Sequence, residues 1–224
     1  MNNIFLKNCA LFSGVPADEL RHLLEAVPHH VLCYDKGELI FRCMEEASRI
    51  GIIMEGSVQS VKPFPNGNQV SIAVRKPGDM IGPAAVFSME GHYPCDVAAA
   101  ESSAIMMFEK GGILQLLQTD VRILENFTRE LATAVYTLQD RVELLSYSGI
   151  AQKAAFYLLM QQKKTGKDAI RIPKSVSNLA RILDVSRPSL HRELKKLEEE
   201  RLISCDSHVI HILNADALQD ILGK

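Results

Sequence analysis

Residues 175–203 read SVSNLARILDVSRPSLHRELKKLEEERLI. Ser175 is placed to cap a helix carrying Val176, Leu179, Ala180, Ile182 and Leu183. Asp184-Val185-Ser186 then make a three-residue turn, and Ser186 caps a second helix opening on Arg187 and Pro188. Proline is tolerated there because the first N–H groups of a helix have no acceptor within it. Leu190, Leu194 and Leu197 recur at helical spacing and face inward, leaving Arg187, Ser189, His191, Arg192, Lys195 and Lys196 outward. Two short helices about a tight turn, with arginines early in the second, suit the major groove of double-stranded DNA. The planar arginine fork donates bidentately to guanine, whereas lysine mainly neutralises phosphate. Leu202-Ile203-Ser204, a turn at Cys205–His208, and Val209–Leu213 predict a two-stranded wing beside these helices. The candidate DNA-contacting residues are Ser175, Ser177, Arg187, Ser189, His191, Arg192 and Lys195.

Charge supports this placement. From Gly149 onward there are 13 Lys and Arg against 9 Asp and Glu, a net +4, and the preceding residues carry 12 against 18, a net −6. A polyanion is expected on the back half. Upstream of the quoted stretch, a helix is predicted from about Ile150 to Gln162, ending at the polar loop KKTGKD.

A longer helix is predicted from about Thr119, where glycine and proline disappear until Gly149. In heptads, Val121, Thr128, Val135 and Val142 share one position, and Leu124, Leu131, Leu138 and Leu145 follow three residues later. β-branched residues at the first position with leucine at the second favour a parallel two-stranded coiled coil, so this stripe is the candidate dimerisation seam.

Nearer the N-terminus, a short helix from Pro16 to Val27 precedes apolar runs at Glu38–Phe41, Arg49–Met54, Ser57–Pro63, Gln69–Arg75, Asp96–Ala100 and Ala104–Phe108. Between them lie Gly37, Gly56, Asn66-Gly67-Asn68, Pro77-Gly78-Asp79 and Gly91, residues that supply tight turns. Many short strands so spaced predict an antiparallel roll or barrel. The domains are expected at 1–118, 119–147 and 148–224.

The composition, 47% apolar and 23% charged, is that of a globular protein. No run reaches the ~20 apolar residues of a membrane span, and MNNIFLKNCALF lacks the build of a secretory signal, so a cytoplasmic location without membrane contact is expected. The cysteines, Cys9, Cys33, Cys43, Cys95 and Cys205, are scattered without a CxxC pair, which argues against a disulfide framework and a tetrathiolate metal site. GxSxG, phosphate-loop and HExxH motifs are absent, so no enzyme is expected.

The order of roll, long helix and winged helix resembles the cyclic-AMP receptor/fumarate-nitrate regulator (CRP/FNR) family over nearly the whole chain. The most specific residues are Leu179-Ala180, the run from Val185 to Leu194, Leu197-Glu198 and Leu202-Ile203. In the front half Lys36-Gly37-Glu38, Ile53 to Val58, Pro77-Gly78-Asp79 and Ile81-Gly82 match the family's strand and turn pattern. The resemblance implies an α+β fold: an N-terminal antiparallel β-roll like a cyclic-nucleotide-binding domain, a long dimerisation helix and a C-terminal winged helix-turn-helix. It implies a homodimeric transcription regulator that responds to a small-molecule effector bound between roll and long helix, reads a palindromic promoter site and contacts RNA polymerase.

The sequence departs from the family in the roll. Cyclic-nucleotide binders follow the roll's glycine with glutamate and leucine and later present arginine and serine to the ribose phosphate; here Pro83-Ala84 follow Gly82, and no arginine occurs from Ile81 to Ala104. A phosphate buried without a cation is costly, so cyclic AMP is not the expected effector. Cys9 stands alone where iron-sulfur members carry a cysteine cluster, which argues against such a cluster. Haem, used by some members to sense diatomic gases, stays open through His29, His30, His92, Met89 and Cys95. The expected effector pocket comprises Gly82, Pro83, Ala84, Ala85, Phe87, Tyr93, Pro94 and Cys95 with Tyr136 and Gln139. A redox role for Cys95 is a further hypothesis. Pro188 replaces the glutamate that often follows the first arginine of the recognition helix, so the target sequence should differ. An alternative of another class is a ligand-binding dimer whose winged helix contacts protein.

Overall fold

The computed structural model describes residues 9–63, 69–173 and 175–223. They form two compact units, one reaching Ala134 and the other beginning at Val135.

The first unit opens with α1 (Ala17–Glu25), entered through Pro16 and anchored by the buried Leu20 and Leu24. Eight strands follow: β1 (His30–Tyr34), β2 (Leu39–Phe41), β3 (Arg49–Glu55), β4 (Val58–Pro63), β5 (Gln69–Arg75), β6 (Met80–Ile81), β7 (Asp96–Ala99) and β8 (Ser103–Glu109). They make two four-stranded sheets, ordered β1-β8-β3-β6 and β2-β7-β4-β5, and every pairing is antiparallel. Ile50, Ile52, Ile53, Ile105, Met106 and Phe108 of β3 and β8 are fully buried in this unit's core. The turn expected at Asn66-Gly67-Asn68 lies outside the described residues.

Two glycines have no substitute. Gly56 has φ +79°, and a Cβ there would stand 2.4 Å from the Ser102 carbonyl oxygen. Gly82 has φ +84°, and its Cβ would meet the Arg49 carbonyl oxygen at 2.9 Å. Both therefore combine a left-handed backbone with close approach of a neighbouring chain segment.

After Gly82 comes α2 (Pro83–Phe87), and after β8 come α3 (Lys110–Thr119) and α4 (Val121–Ser146). The break between α3 and α4 falls at Asp120, whose carboxylate accepts from the Arg122 backbone N–H at 2.8 Å and from its guanidinium. The sequence places one helix from Thr119 and overlooks α3, because Gly111 and Gly112 read as breakers. Gly112 is instead a packing residue: a Cβ there would lie 2.8 Å from the Pro28 carbonyl oxygen. Ile113, Leu116 and Leu117 of α3 are buried in the roll's core together with Ile123 and Phe127 of α4.

The second unit contains the rest of α4, then α5 (Ile150–Thr165), β9 (Ala169–Arg171), α6 (Val176–Ile182), α7 (Arg187–Glu199), β10 (Ile203–Asp206), β11 (Val209–Ile212) and α8 (Ala215–Leu222). The Gln152 side chain accepts from the Gly149 N–H at 3.1 Å, closing the start of α5. The wing is three-stranded, ordered β10-β11-β9, rather than the two strands read from sequence. β9 is only three residues long and borders the polar loop, which hid it. The wing turn is also tighter than Cys205–His208: Cys205 and Asp206 already pair with Ile210 and Val209, and Ser207 takes φ 44°. Leu144, Leu158, Leu179, Leu190, Leu197, Ile203, Ile210 and Leu218 form this unit's core.

Candidate nucleic-acid interface and effector region

The Ser175 hydroxyl accepts from the Asn178 N–H at 3.2 Å and starts α6; the Ser186 hydroxyl accepts from the Ser189 N–H at 3.2 Å and starts α7. Both satisfy N–H groups that the first turn of a helix leaves without a partner. Between them Asp184 adopts φ 54°, a left-handed conformation that a short polar side chain tolerates. Leu183, Leu190, Leu194 and Leu197 are buried, and this fixes which side of α7 faces out. Arg187, His191, Arg192, Lys195 and Lys196 are exposed on that side.

Their partners differ. The Ser186 hydroxyl donates to Ser189 Oγ at 2.8 Å, and Arg192 Nη2 reaches the same Ser189 oxygen at 3.4 Å, so Ser189 steadies Arg192 as well as the cap. Lys195 and Lys196 face Glu199 and Glu193 at 3.8 and 3.9 Å along the exposed helix surface. Such solvated pairs are weak and readily exchanged for a phosphate. An open cleft of about 450 Å3 lies between α6 and the start of α7, lined by Ser177, Ala180, Arg181, Asp184, Val185, Ser186 and Arg187. The structure thus brings Ser175, Ser177, Arg187, Ser189, His191, Arg192 and Lys195 onto two adjoining helices. Arg181, whose Nη2 donates to Asn178 Oδ1 at 2.6 Å on the rim of this cleft, was missed from sequence. Its place in the last turn of the first helix was the available signal.

The helix before this unit carries a second exposed feature. Val121, Leu124, Val135, Leu138, Val142 and Leu145 are all exposed on α4, as is Thr128. Leu131 is partly buried against the roll's core. Where α4 enters the second unit, the Arg141 guanidinium donates to the Ile182 carbonyl at the end of α6, and Asp140 pairs with Lys164 at 2.7 Å. The last turn of the first DNA-side helix is therefore held directly by the long helix.

Of the proposed effector residues, Gly82 to Ala85 and Phe87 lie on or beside α2, and Tyr93, Pro94 and Cys95 lie between α2 and β7. Gly82, Pro83 and Phe87 are half-buried, Ala84 and Pro94 are exposed, and Ala85 and Tyr93 are buried. The Tyr93 ring stacks on Phe41 at 4.2 Å with 7° between planes. Its hydroxyl donates to the Arg49 carbonyl at 2.7 Å and accepts from the Arg49 N–H at 3.1 Å. Burial raises the Tyr93 phenol above its ordinary value, so this donor stays protonated. Phe87 meets Phe127 of α4 edge-on at 5.4 Å, with Lys110 Nζ 5.8 Å from the Phe87 ring. α2 is thereby joined to the N-terminal part of α4. Tyr136 and Gln139 are exposed on the part of α4 that belongs to the second unit.

The histidines weighed as haem ligands lie apart in their contacts. His29 Nδ1 is 2.9 Å from the Val27 carbonyl oxygen, His92 Nδ1 is 2.6 Å from that of Glu90, and His30 begins β1. Among the described residues no three His, Cys, Asp or Glu side chains converge on a metal position.

Comparison with known proteins agrees with this architecture. Residues 31–120 match the cyclic nucleotide-binding domain family, and residues 152–221 match the Crp-like helix-turn-helix domain family. The chain is 25% identical over 205 residues to the probable transcriptional regulator flp of Lacticaseibacillus casei, covering 91% of each. It is 21% identical over 216 residues to the cyclic AMP receptor protein of Thermus thermophilus, covering 96% of this chain and 98% of that protein. The solved catabolite activator protein of Thermus thermophilus shares the fold at TM-score 0.55 and 20% identity, covering 96% of this chain and 98% of the other. FixK2 of Bradyrhizobium japonicum does so at TM-score 0.52 and 18% identity, covering 87% and 97%. With a roll that matches the one domain and a capped, outward-charged helix pair that matches the other, this chain is a transcription regulator of the CRP/FNR family with a helix-turn-helix DNA-binding domain.

Proposed function

We propose that the protein is a cytoplasmic, non-enzymatic homodimer that binds a palindromic double-stranded DNA site through two copies of α7 and changes its affinity when a small molecule occupies the roll. The observation that carries this reading is the exposed row Arg187, His191, Arg192 and Lys195 on a helix whose cap and buried leucines fix its orientation. The exposed heptad seam of α4 supports the dimer, since large apolar side chains so regularly spaced call for a partner helix. Contact with RNA polymerase is the expected output. No helix among the described residues is long and apolar enough to cross a membrane.

The effector is a largely apolar small molecule rather than a cyclic nucleotide. Neither arginine nor lysine occurs between Ile81 and Ala104, so nothing on α2 or the loop after it offers a cation to a phosphate. Phe87 and Tyr93 suit an apolar ligand with few polar anchors.

Selection of bound sequences from a random duplex pool tests the DNA reading, followed by anisotropy titration with and without cyclic AMP. Enrichment of an inverted repeat and an affinity indifferent to cyclic AMP are expected. Weak association that is insensitive to both sequence and salt would point to a winged helix serving protein contacts, and a large response to cyclic AMP would overturn the effector reading.

A further inference from the structure

The pairing of β2 with β7 brings together two segments that each carry a cysteine just outside the strands, Cys43 after β2 and Cys95 before β7. Phe41 pairs with Val97 within this ladder, and past its end Glu46 bridges His92. Between these two pairs the chain makes a turn at residues 42–45 that lies against the segment carrying Cys95. Cys43 stands in the turn that follows β2, closed by the Glu45 N–H to the Arg42 carbonyl at 3.1 Å with Met44 at φ 67°, so the turn places its side chain. Both thiols are free and half-buried at the rim of the sheet. Local contacts hold the segments together: the Cys43 N–H donates to Asp96 Oδ1 at 2.7 Å and the Met44 N–H to the Tyr93 carbonyl at 2.9 Å. The Cys43 thiol donates to the Pro94 carbonyl at 3.5 Å, one residue before Cys95. A disulfide spans about 4.4 to 6.8 Å between Cα atoms, and the hydrogen bonds of Cys43 to Pro94 and Asp96, the two residues flanking Cys95, bring the two cysteines within that reach.

We propose that Cys43 and Cys95 form a dithiol that hydrogen peroxide closes to an intramolecular disulfide. The Cys43 sulfur attacks one peroxide oxygen, the O–O bond breaks, and the departing hydroxide leaves as water with the thiol proton, giving a sulfenic acid. The Cys95 sulfur then attacks that sulfur, the S–O bond breaks, and a second water carries away the Cys95 proton. Two thiols and one peroxide thus become one disulfide and two waters. Burial raises the Cys95 thiol above its ordinary value, the hydrogen bond from Ser60 opposes this, and Cys43 adds to the rise. The remaining cysteines serve as internal controls: Cys9 is buried, and Cys33 and Cys205 are exposed on β1 and β10. The bond would fasten to β2 the loop that carries Tyr93 and follows α2. The inference rests on the contacts of Cys43 with the residues flanking Cys95 and is independent of which molecule the roll binds.

The test treats the reduced full-length protein with hydrogen peroxide, alkylates remaining thiols with iodoacetamide and maps peptides without reductant. One intramolecular cross-link between the Cys43 and Cys95 peptides is expected, reversed by dithiothreitol, with Cys33 and Cys205 still alkylated. It should vanish in C43S and in C95S, circular dichroism confirming that each variant folds; C43A, at the partly exposed partner, replaces any variant that does not. Full alkylation of Cys43 and Cys95 after oxidation of Cys33 and Cys205, or a cross-link that joins either to another cysteine, would overturn the proposal.

Discussion

Arg187 stands at the first helical position of α7, exposed and next to the Ser186 cap. A side chain there reaches a base edge without crossing the helix's own surface, so Arg187→Ala should cost about 1–3 kcal/mol on the selected duplex and blunt preference at one base pair. Lys195→Ala should weaken all duplexes alike. Anisotropy titrations against the selected site and a scrambled one separate the two outcomes, and equal binding by the Arg187 variant would remove its assigned role. The cap itself is a stability matter. Ser186→Ala strands the Ser189 N–H and should cost about 1 kcal/mol in denaturant unfolding, whereas Ser186→Asp should retain most of it. Cys9 gives a pH signature. It is 1% exposed, and burial pushes its thiol from the ordinary 9.0 up to about 11. Between those values the unfolded chain ionises while the folded one stays protonated, so this contribution is fully present below 9.0 and is lost as pH rises toward 11. Replacement by serine, which does not titrate there, should leave a stability difference from wild type that shrinks across this window. Unfolding curves at stepped pH would show it, and a constant difference would mean Cys9 is not held protonated by the fold.

At the level of elements, the leucines of the stripe read along α4 do not all serve one purpose. Leu131 leans on the roll's core, whereas Leu138 and Val142 are 64% and 62% exposed. Glutamate at Leu131 would disturb the roll as well as any seam. Leu138→Glu with Val142→Glu is the cleaner probe and should give a monomer with an unchanged circular dichroism spectrum in sedimentation; a persistent dimer would place the interface elsewhere. The same contrast of local with distant causes explains what the sequence made legible. The caps at Ser175 and Ser186, the left-handed turn at Asp184 and the buried leucines of α7 are fixed by neighbours within one or two helical turns. Most β-runs were visible because glycines bound them. α3 was not, because Gly111 and Gly112 look like breakers until the Pro28 carbonyl that needs the space is known. Nor could sequence foresee that Tyr93 is consumed by Phe41 and Arg49, or that the Cys43 thiol reaches the Pro94 carbonyl beside Cys95, since both follow from contacts between distant segments.

For the molecule as a whole, charge and symmetry make a joint demand. The net positive charge lies behind Gly149, so each copy brings one cationic cluster, while the exposed apolar stripe proposed as the seam between copies lies on α4 before it. Two recognition helices related by a two-fold axis read half-sites about one helical turn of DNA apart, roughly 34 Å. Each phosphate neutralised adds about 0.9 to the fall of log affinity with log salt. Dimeric wild type should therefore show about twice the salt slope of the Leu138→Glu, Val142→Glu monomer on the same inverted repeat, and the monomer should fall to its slope on a single half-site. Anisotropy titrations at several potassium chloride concentrations measure both. Equal slopes for dimer and monomer would mean that a single α7 engages DNA at a time, and the pairing of copies would then serve effector response rather than operator reading.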